Sequence, residues 1–66
     1  MSPERFAMRL KRLREARGLT QEALAEKIGV SRAYLARLEM GRHDPPLSRL
    51  RAIAKALRVK VSRLIE

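Results

Sequence analysis

The sequence contains no cysteine, no tryptophan and a single histidine, His43. Without cysteine, the chain cannot form disulfides. With one histidine, it cannot assemble a clustered zinc site or the usual catalytic triads of acyl transfer. No motif favours an enzyme. We therefore expect no catalytic activity, no metal ion and no cofactor.

Long apolar runs are also missing. No segment approaches the roughly 18 consecutive apolar residues of a membrane-spanning helix. The N-terminal stretch MSPERFAMRLKR has interspersed charge from Glu4 onward and no apolar run, which argues against a signal peptide. We expect a cytoplasmic protein.

Acidic residues are few: the chain has 7 Asp and Glu residues and 16 Lys and Arg residues, which gives a formal net charge of +9. This excess favours a polyanionic partner, such as nucleic acid or an anionic membrane surface. The membrane is the weaker alternative, because the apolar stripes are needed for the core. With 66 residues the chain has room for one small domain, which we expect to span residues 1–66.

The apolar residues are mostly Leu, Ala and Ile at spacings of three and four, and only 3% of residues are aromatic, so the pattern predicts an all-helical chain. A first helix is predicted over residues 3–17, capped by Ser2. Thr20 caps a second helix that ends at Gly29, and Ser31 caps a third that ends at Gly41.

A fourth helix follows the Asp44-Pro45-Pro46 loop, because its apolar residues keep helical spacing: Leu47, Leu50, Ile53, Ala54 and Leu57. The last apolar residues suggest a short fifth helix, although the V-K-V segment at residues 59–61 alone also fits a strand. Lys60 is a poor N-cap for that helix.

Gly29 lies between two helices that are too short to be stable alone, which is the arrangement of a helix-turn-helix. In the helix after this turn, Leu35 and Leu38 face inward. The opposite face carries Ala33, Ala36, Arg37 and Met40, with Arg32 in the exposed first turn. Such a slim face fits the major groove of DNA, where arginine reads guanine; the alternative is that both arginines are simply solvated.

The segment resembles the helix-turn-helix of the Cro and phage-repressor superfamily, the XRE family. The matching positions are Leu19, Thr20, Gln21, Leu24, Ala25, Gly29, Val30, Ser31, Leu35, Leu38, Glu39, Gly41, Arg42 and Pro46. Similarity extends before and after the motif over nearly the whole chain. It implies a lambda-repressor-like bundle of five short helices that binds double-stranded DNA.

The resemblance also implies residue roles. Arg32, Ala33 and Arg37 match base-reading positions, and the phosphate-contacting candidates are Gln21, Ser31, Tyr34, Arg42, His43 and Arg14. Tyr34 alternatively packs against the domain, and His43 is alternatively just exposed. Arg14 also matches a family position that forms an ion pair with Glu39. The remaining basic residues, Arg5, Arg9, Lys11, Arg12, Arg49, Arg51 and Lys55, are interpreted as a solvated face that adds long-range attraction.

Three positions depart from the family pattern: Met40 replaces a common Asn, Arg58 replaces a Gly, and Lys60 occupies a cap position. Arg58 must either adopt a left-handed conformation or end the fourth helix differently.

The family implies a transcriptional regulator, here expected to be a repressor, that binds a palindromic operator as a homodimer. Candidate dimer-surface residues are Met40, Val61, Leu64 and Ile65, of which the last three alternatively belong to the core. The competing hypothesis is an antitoxin or adaptor of the same fold whose main ligand is a partner protein. Because no extension follows Glu66, we expect no ligand-sensing domain.

Overall fold

The computed structural model describes residues 2–66, which form five α-helices. These are α1 (Pro3–Ala16), α2 (Gln21–Ile28), α3 (Arg32–Glu39), α4 (Leu47–Leu57) and α5 (Val61–Ile65). No β-strand occurs within these residues, and the V-K-V segment leads into α5. The prediction of an all-helical bundle of five short helices is confirmed.

The first three helices begin at the predicted caps. The side-chain oxygens of Ser2, Thr20 and Ser31 each accept a hydrogen bond from the backbone N–H three residues further on, at 3.0–3.1 Å. Each such bond satisfies an N–H group that has no partner within its own helix. Pro46 and Lys60 precede α4 and α5 without a side-chain cap, so these two helices depend more on packing.

The ends of α2 and α4 use the same backbone conformation with different residues. Gly29 has a φ of 75° and ends α2, and Arg58 has a φ of 58° and a ψ of 42° and ends α4. Of the two alternatives for Arg58, the structure takes the left-handed one. Because a residue with a Cβ is strained there, α4 ends at a steric cost that glycine would avoid.

The core draws a large, fully buried side chain from every helix. These side chains belong to Phe6, Leu10, Leu24, Leu35, Leu38, Ile53, Leu57 and Leu64. Burying one such side chain contributes about 1.5–3 kcal/mol, which offsets the instability of helices only two turns long. The α2–α3 unit is therefore held in place by its packing on α1 and α4.

Burial places two apolar residues whose positions the sequence predicts. For Leu64 the sequence allows either the dimer surface or the core; the residue is fully buried, so it belongs to the core and not to that surface. Leu47 was expected to face inward, but it is 55% exposed at the first residue of α4. The first turn of α4 extends past the core, and only the next turn, from Leu50, is covered.

Gly41, just after α3, packs closely against the backbone at the start of α1. Its φ is 76°, and a Cβ at this position would lie 3.3 Å from the Cα of Glu4. Both the conformation and the space therefore require glycine here. Within residues 2–66, no helix is long and apolar enough to cross a membrane.

Candidate nucleic-acid interface

The outer face of α3 presents the three residues that the sequence predicts to read bases. Arg32, Ala33 and Arg37 are exposed, whereas Leu35 and Leu38 on the opposite face are fully buried. A two-turn helix with a methyl group between two arginines is narrow enough to enter a groove about 12 Å wide. The described geometry is therefore compatible with insertion of α3 into the major groove.

The turn before α3 sets the angle of this helix. The N–H of Val30 donates to the carbonyl of Ala25 at 3.0 Å, which closes the end of α2 around Gly29. Ser31 then starts α3, and its hydroxyl oxygen accepts from the N–H of Tyr34 at 3.0 Å. Because these hydrogen bonds fix both ends of a short turn, the angle between α2 and α3 is also fixed.

Arg14 and Glu39 form a buried ion pair that ties α1 to the end of α3. The Nε of Arg14 donates to Oε2 of Glu39 at 2.7 Å, and its Nη2 donates to Oε1 at 3.1 Å. Its Nη1 donates to the carbonyl of Leu19 at 2.7 Å. These hydrogen bonds with Glu39 raise the pKa of Arg14, and burial of the guanidinium acts in the opposite direction.

This geometry establishes one of the two predicted roles of Arg14. The residue is 8% exposed, and each nitrogen of its guanidinium donates a hydrogen bond inside the protein. These bonds use three of the five N–H groups of the guanidinium. Arg14 therefore has a structural role, and its contact with a phosphate stays a prediction.

A hydrogen-bonded chain runs from this pair to the exposed face of α3. The Nε2 of Gln21 donates to Oε1 of Glu39 at 3.1 Å, and Nη1 of Arg32 donates to Oε1 of Gln21 at 3.3 Å. The amide of Gln21 is thus oriented by its two neighbours, with its NH₂ toward Glu39 and its oxygen toward Arg32. Gln21 and Arg32, the first residues of α2 and α3, lie side by side.

A second cluster lies beside the other end of α3. The Nε of Arg37 donates to Nε2 of His43 at 3.3 Å. The rings of His43 and Tyr34 stack with their centroids 6.2 Å apart, and the guanidinium of Arg49 lies 5.3 Å from the Tyr34 ring centroid. Both alternatives for Tyr34 remain open, since the residue is half-buried.

Arg49 and Arg9, which the sequence places on a solvated basic face, are both half-buried. The guanidinium of Arg49 covers the Tyr34 ring. A cation over an aromatic ring contributes about 0.5–1 kcal/mol at exposed sites. No local sequence signal predicts this contact, because it depends on how the loop at residues 40–46 positions α4. Arg42, in that loop, is exposed as expected.

The remaining dimer-surface candidates divide by burial. Met40 is 66% exposed and Ile65 is 40% exposed, whereas Val61 is half-buried and packs against the core. Met40 follows the last residue of α3, and Ile65 is the last residue of α5. That these three residues form part of a dimer interface stays a prediction.

A family model described as Helix-turn-helix, HTH_3, matches residues 10–64. The chain is 49% identical over 57 residues to the immunity repressor protein of Bacillus phage phi105, which covers 86% of this chain and 40% of the repressor. The chain thus spans less than half of that relative.

Solved structures share the whole fold. The restriction-modification controller protein C.AhdI from Aeromonas hydrophila is 35% identical, with a TM-score of 0.90 over 94% of each chain. SinR, a master regulator for biofilm formation solved in complex with DNA, is 31% identical, with a TM-score of 0.88 over 92% of this chain and 98% of that one. Because the family model matches most of the sequence, this chain belongs to the XRE-type helix-turn-helix family of DNA-binding transcriptional regulators.

Proposed function

We propose that this protein represses transcription by binding a specific palindromic operator as a homodimer, with α3 of each subunit in the major groove. The observation that carries the proposal is the exposed face of α3, where Arg32, Ala33 and Arg37 point away from a fully buried leucine pair. The net charge of +9 supports a polyanionic partner. SinR, which has the same fold, has been solved in complex with DNA.

Base reading is assigned to the three exposed residues of α3. Arg32 and Arg37 can each donate two hydrogen bonds to O6 and N7 of a guanine, and Ala33 can contact a thymine methyl group. The bonds that now hold these arginines, to Gln21 and His43, are both 3.3 Å long and exposed. Such bonds are readily exchanged for contacts with base edges, each worth about 1–3 kcal/mol of discrimination.

Phosphate contacts are assigned to residues that flank α3 on both sides. Gln21 lies at the N-terminus of α2, where free backbone N–H groups and the helix dipole favour an anion. Ser31 and Tyr34 lie in the first turn of α3, and Arg42 and His43 lie in the exposed loop after it. Contacts on both sides would fix the register of α3 along the groove.

The dimer is proposed for a geometric reason. One short recognition helix reads only a few base pairs, so selectivity among genomic sites calls for a second half-site about 34–36 Å away. Met40, Val61 and Ile65 are the apolar candidates for the contact between subunits. In this proposal the palindrome of the operator mirrors the twofold axis of the protein.

A random-library DNA selection at near-physiological salt tests the proposal. Wild-type protein should enrich a palindrome with guanine in each half-site, spaced about one helical turn apart. Arg37→Ala should lose one preferred base, whereas Arg51→Ala, the same change at an exposed position of α4, should enrich the wild-type site. Absence of any enriched site, despite salt-sensitive bulk binding, would overturn operator reading and favour a partner protein as the main ligand.

A further inference from the structure

A basic groove lies between α1 and α5, outside the helix-turn-helix. Its volume is about 560 Å³, and it is lined by Arg5, Met8, Arg9, Arg12, Leu13 and Arg63. None of these residues belongs to α2, α3 or the loop that follows α3. The groove is therefore separate from the residues assigned to DNA.

The lining combines four guanidinium groups with two apolar side chains and includes no carboxylate. Arg5, Arg12 and Arg63 are exposed. The Nε of Arg9 is buried and has no hydrogen-bond partner within residues 2–66. The donors open to a ligand are therefore the guanidiniums of Arg5, Arg12 and Arg63.

The spacing of the arginines identifies the shape of the ligand. Arg5, Arg9 and Arg12 lie on successive turns of α1 and cover about 10 Å along its axis, at a rise of about 1.5 Å per residue. A single small anion cannot reach both ends of such a row. Carboxylates on successive turns of a second helix have the same repeat and can pair with several guanidiniums at once.

The apolar residues argue for a peptide over nucleic acid. Met8 is 51% exposed and Leu13 is half-buried, so the groove offers a soft apolar surface between its charges. A DNA duplex contacts proteins largely through its phosphates, which would use the guanidiniums but leave the two apolar side chains without a partner. Single-stranded nucleic acid is held largely by stacking on aromatic rings, and no aromatic residue lines the groove.

We propose that the groove between α1 and α5 docks an acidic amphipathic helix of a partner protein. Glutamate or aspartate side chains on successive turns of that helix pair with Arg5, Arg12 and Arg63. An apolar side chain between them packs on Met8 and Leu13. The groove shares no residue with the proposed DNA face, so the proposal includes binding of the partner helix and DNA at the same time. The proposal does not depend on which DNA sequence the protein reads.

The test uses fluorescence anisotropy with a labelled helical peptide of about 15 residues, long enough to form a helix. The probe carries Glu and Leu on one stripe. Two control peptides replace either all Glu by Gln or all Leu by Ser. The groove variant is Arg12→Gln/Arg63→Gln, and the matched control is Lys11→Gln/Arg51→Gln, which removes the same charge from exposed residues outside the groove. All four positions are exposed, so neither variant disturbs the core.

Binding by the groove predicts saturable anisotropy with wild-type protein. The Kd for the probe should rise about tenfold in the groove variant and less than about threefold in the control, because several ion pairs are lost in one case and only diffuse attraction in the other. Each control peptide should bind at least about tenfold more weakly than the probe. Addition of a DNA duplex should leave probe binding in place.

Four results would overturn the proposal. The first is no saturable binding up to about 1 mM probe. The second is equal weakening in both double variants, which would show attraction by net charge alone. The third is a loss of duplex binding confined to Arg12→Gln/Arg63→Gln, which would assign the groove to DNA. The fourth is dissociation of a wild-type dimer by those same substitutions in sedimentation equilibrium, which would assign it to a second copy of the chain.

Discussion

Replacing Glu39 by alanine should destabilise the protein more than any exposed substitution. The side chains of Arg14 and Glu39 are 9% and 4% exposed, and the carboxylate accepts two hydrogen bonds from the guanidinium. An arginine is charged throughout the neutral range, and the hydrogen bonds with Glu39 raise the pKa of Arg14 further. Removal of Glu39 leaves a buried charge without its partner, which costs about 3–5 kcal/mol.

This magnitude is large for a domain of 66 residues. At about 0.05–0.15 kcal/mol per residue, the free energy of unfolding is roughly 3–10 kcal/mol. For a domain of this size, each 1 kcal/mol lowers the melting temperature by about 4–8 °C. The Glu39→Ala variant should therefore melt at least about 12 °C below wild type, or be largely unfolded at room temperature.

Urea unfolding followed by circular dichroism measures the effect as a double-mutant cycle of Arg14→Met, Glu39→Leu and both together. Each single variant should lose about 3–5 kcal/mol, whereas the apolar pair should recover at least about half, because no charge is then buried. The carbonyl of Leu19 and the amide of Gln21 still lose a partner, which limits the recovery. Glu26→Ala, at an exposed position of α2, serves as the control and should change stability by less than about 0.5 kcal/mol.

The reasoning would be refuted if each single variant lost less than about 1 kcal/mol, as an exposed ion pair does. It would also be refuted if the losses in the cycle were additive, since additivity means that the two residues do not interact.

Three further predictions concern backbone conformation and DNA contacts. Gly41→Ala should destabilise the protein more than Gly29→Ala in thermal melts. Alanine at either position would have a positive φ, which costs about 1–2 kcal/mol, but only at Gly41 would its Cβ also be tight against the backbone of α1. Arg58→Gly should raise stability by about 0.5–1 kcal/mol in urea unfolding, because glycine relieves the left-handed strain at some entropic cost, and a loss would contradict this. Arg37→Ala should cost about 1–3 kcal/mol of binding free energy on the selected operator and remove discrimination at one base. Arg42→Ala should weaken binding to all sequences alike and lower the slope of affinity against salt concentration by about one. Equal losses on specific and random DNA for both variants would reject base reading by Arg37.

The helices could be predicted from the sequence because their limits depend on local chemistry. Ser2, Thr20 and Ser31 are hydroxyl caps, and Gly29 is a left-handed stop; each acts within one turn of its own position. The prediction for Leu47 failed because helical periodicity gives a direction but not the extent of the core. A leucine in the first turn of a helix can lie on the apolar face and still be exposed, because no neighbouring residue covers that turn.

The exposure of a site residue could be predicted only where it depends on the position of that residue around a single helix. The exposure of Arg32, Ala33 and Arg37 follows from the positions of Leu35 and Leu38 on the same helix. Two roles for Arg14 were consistent with the sequence, an ion pair and a phosphate contact. The packing of α1 against α3 establishes the ion pair, since it buries the side chain and places three of its donors on Glu39 and Leu19.

The chain of contacts from the core to α3 connects stability with the proposed DNA contacts. Glu39 holds Arg14 on one side and the Gln21 amide on the other, and the oxygen of that amide accepts from Arg32. A side chain held near its bound conformation loses less entropy on binding, by about 0.5–1.5 kcal/mol for each ordered residue. The buried ion pair therefore has a second consequence besides fixing the angle between α1 and α3: through Glu39 it orients the Gln21 amide before DNA is bound, whereas the exposed 3.3 Å bond from Arg32 to that amide leaves Arg32 free to exchange it for a base edge.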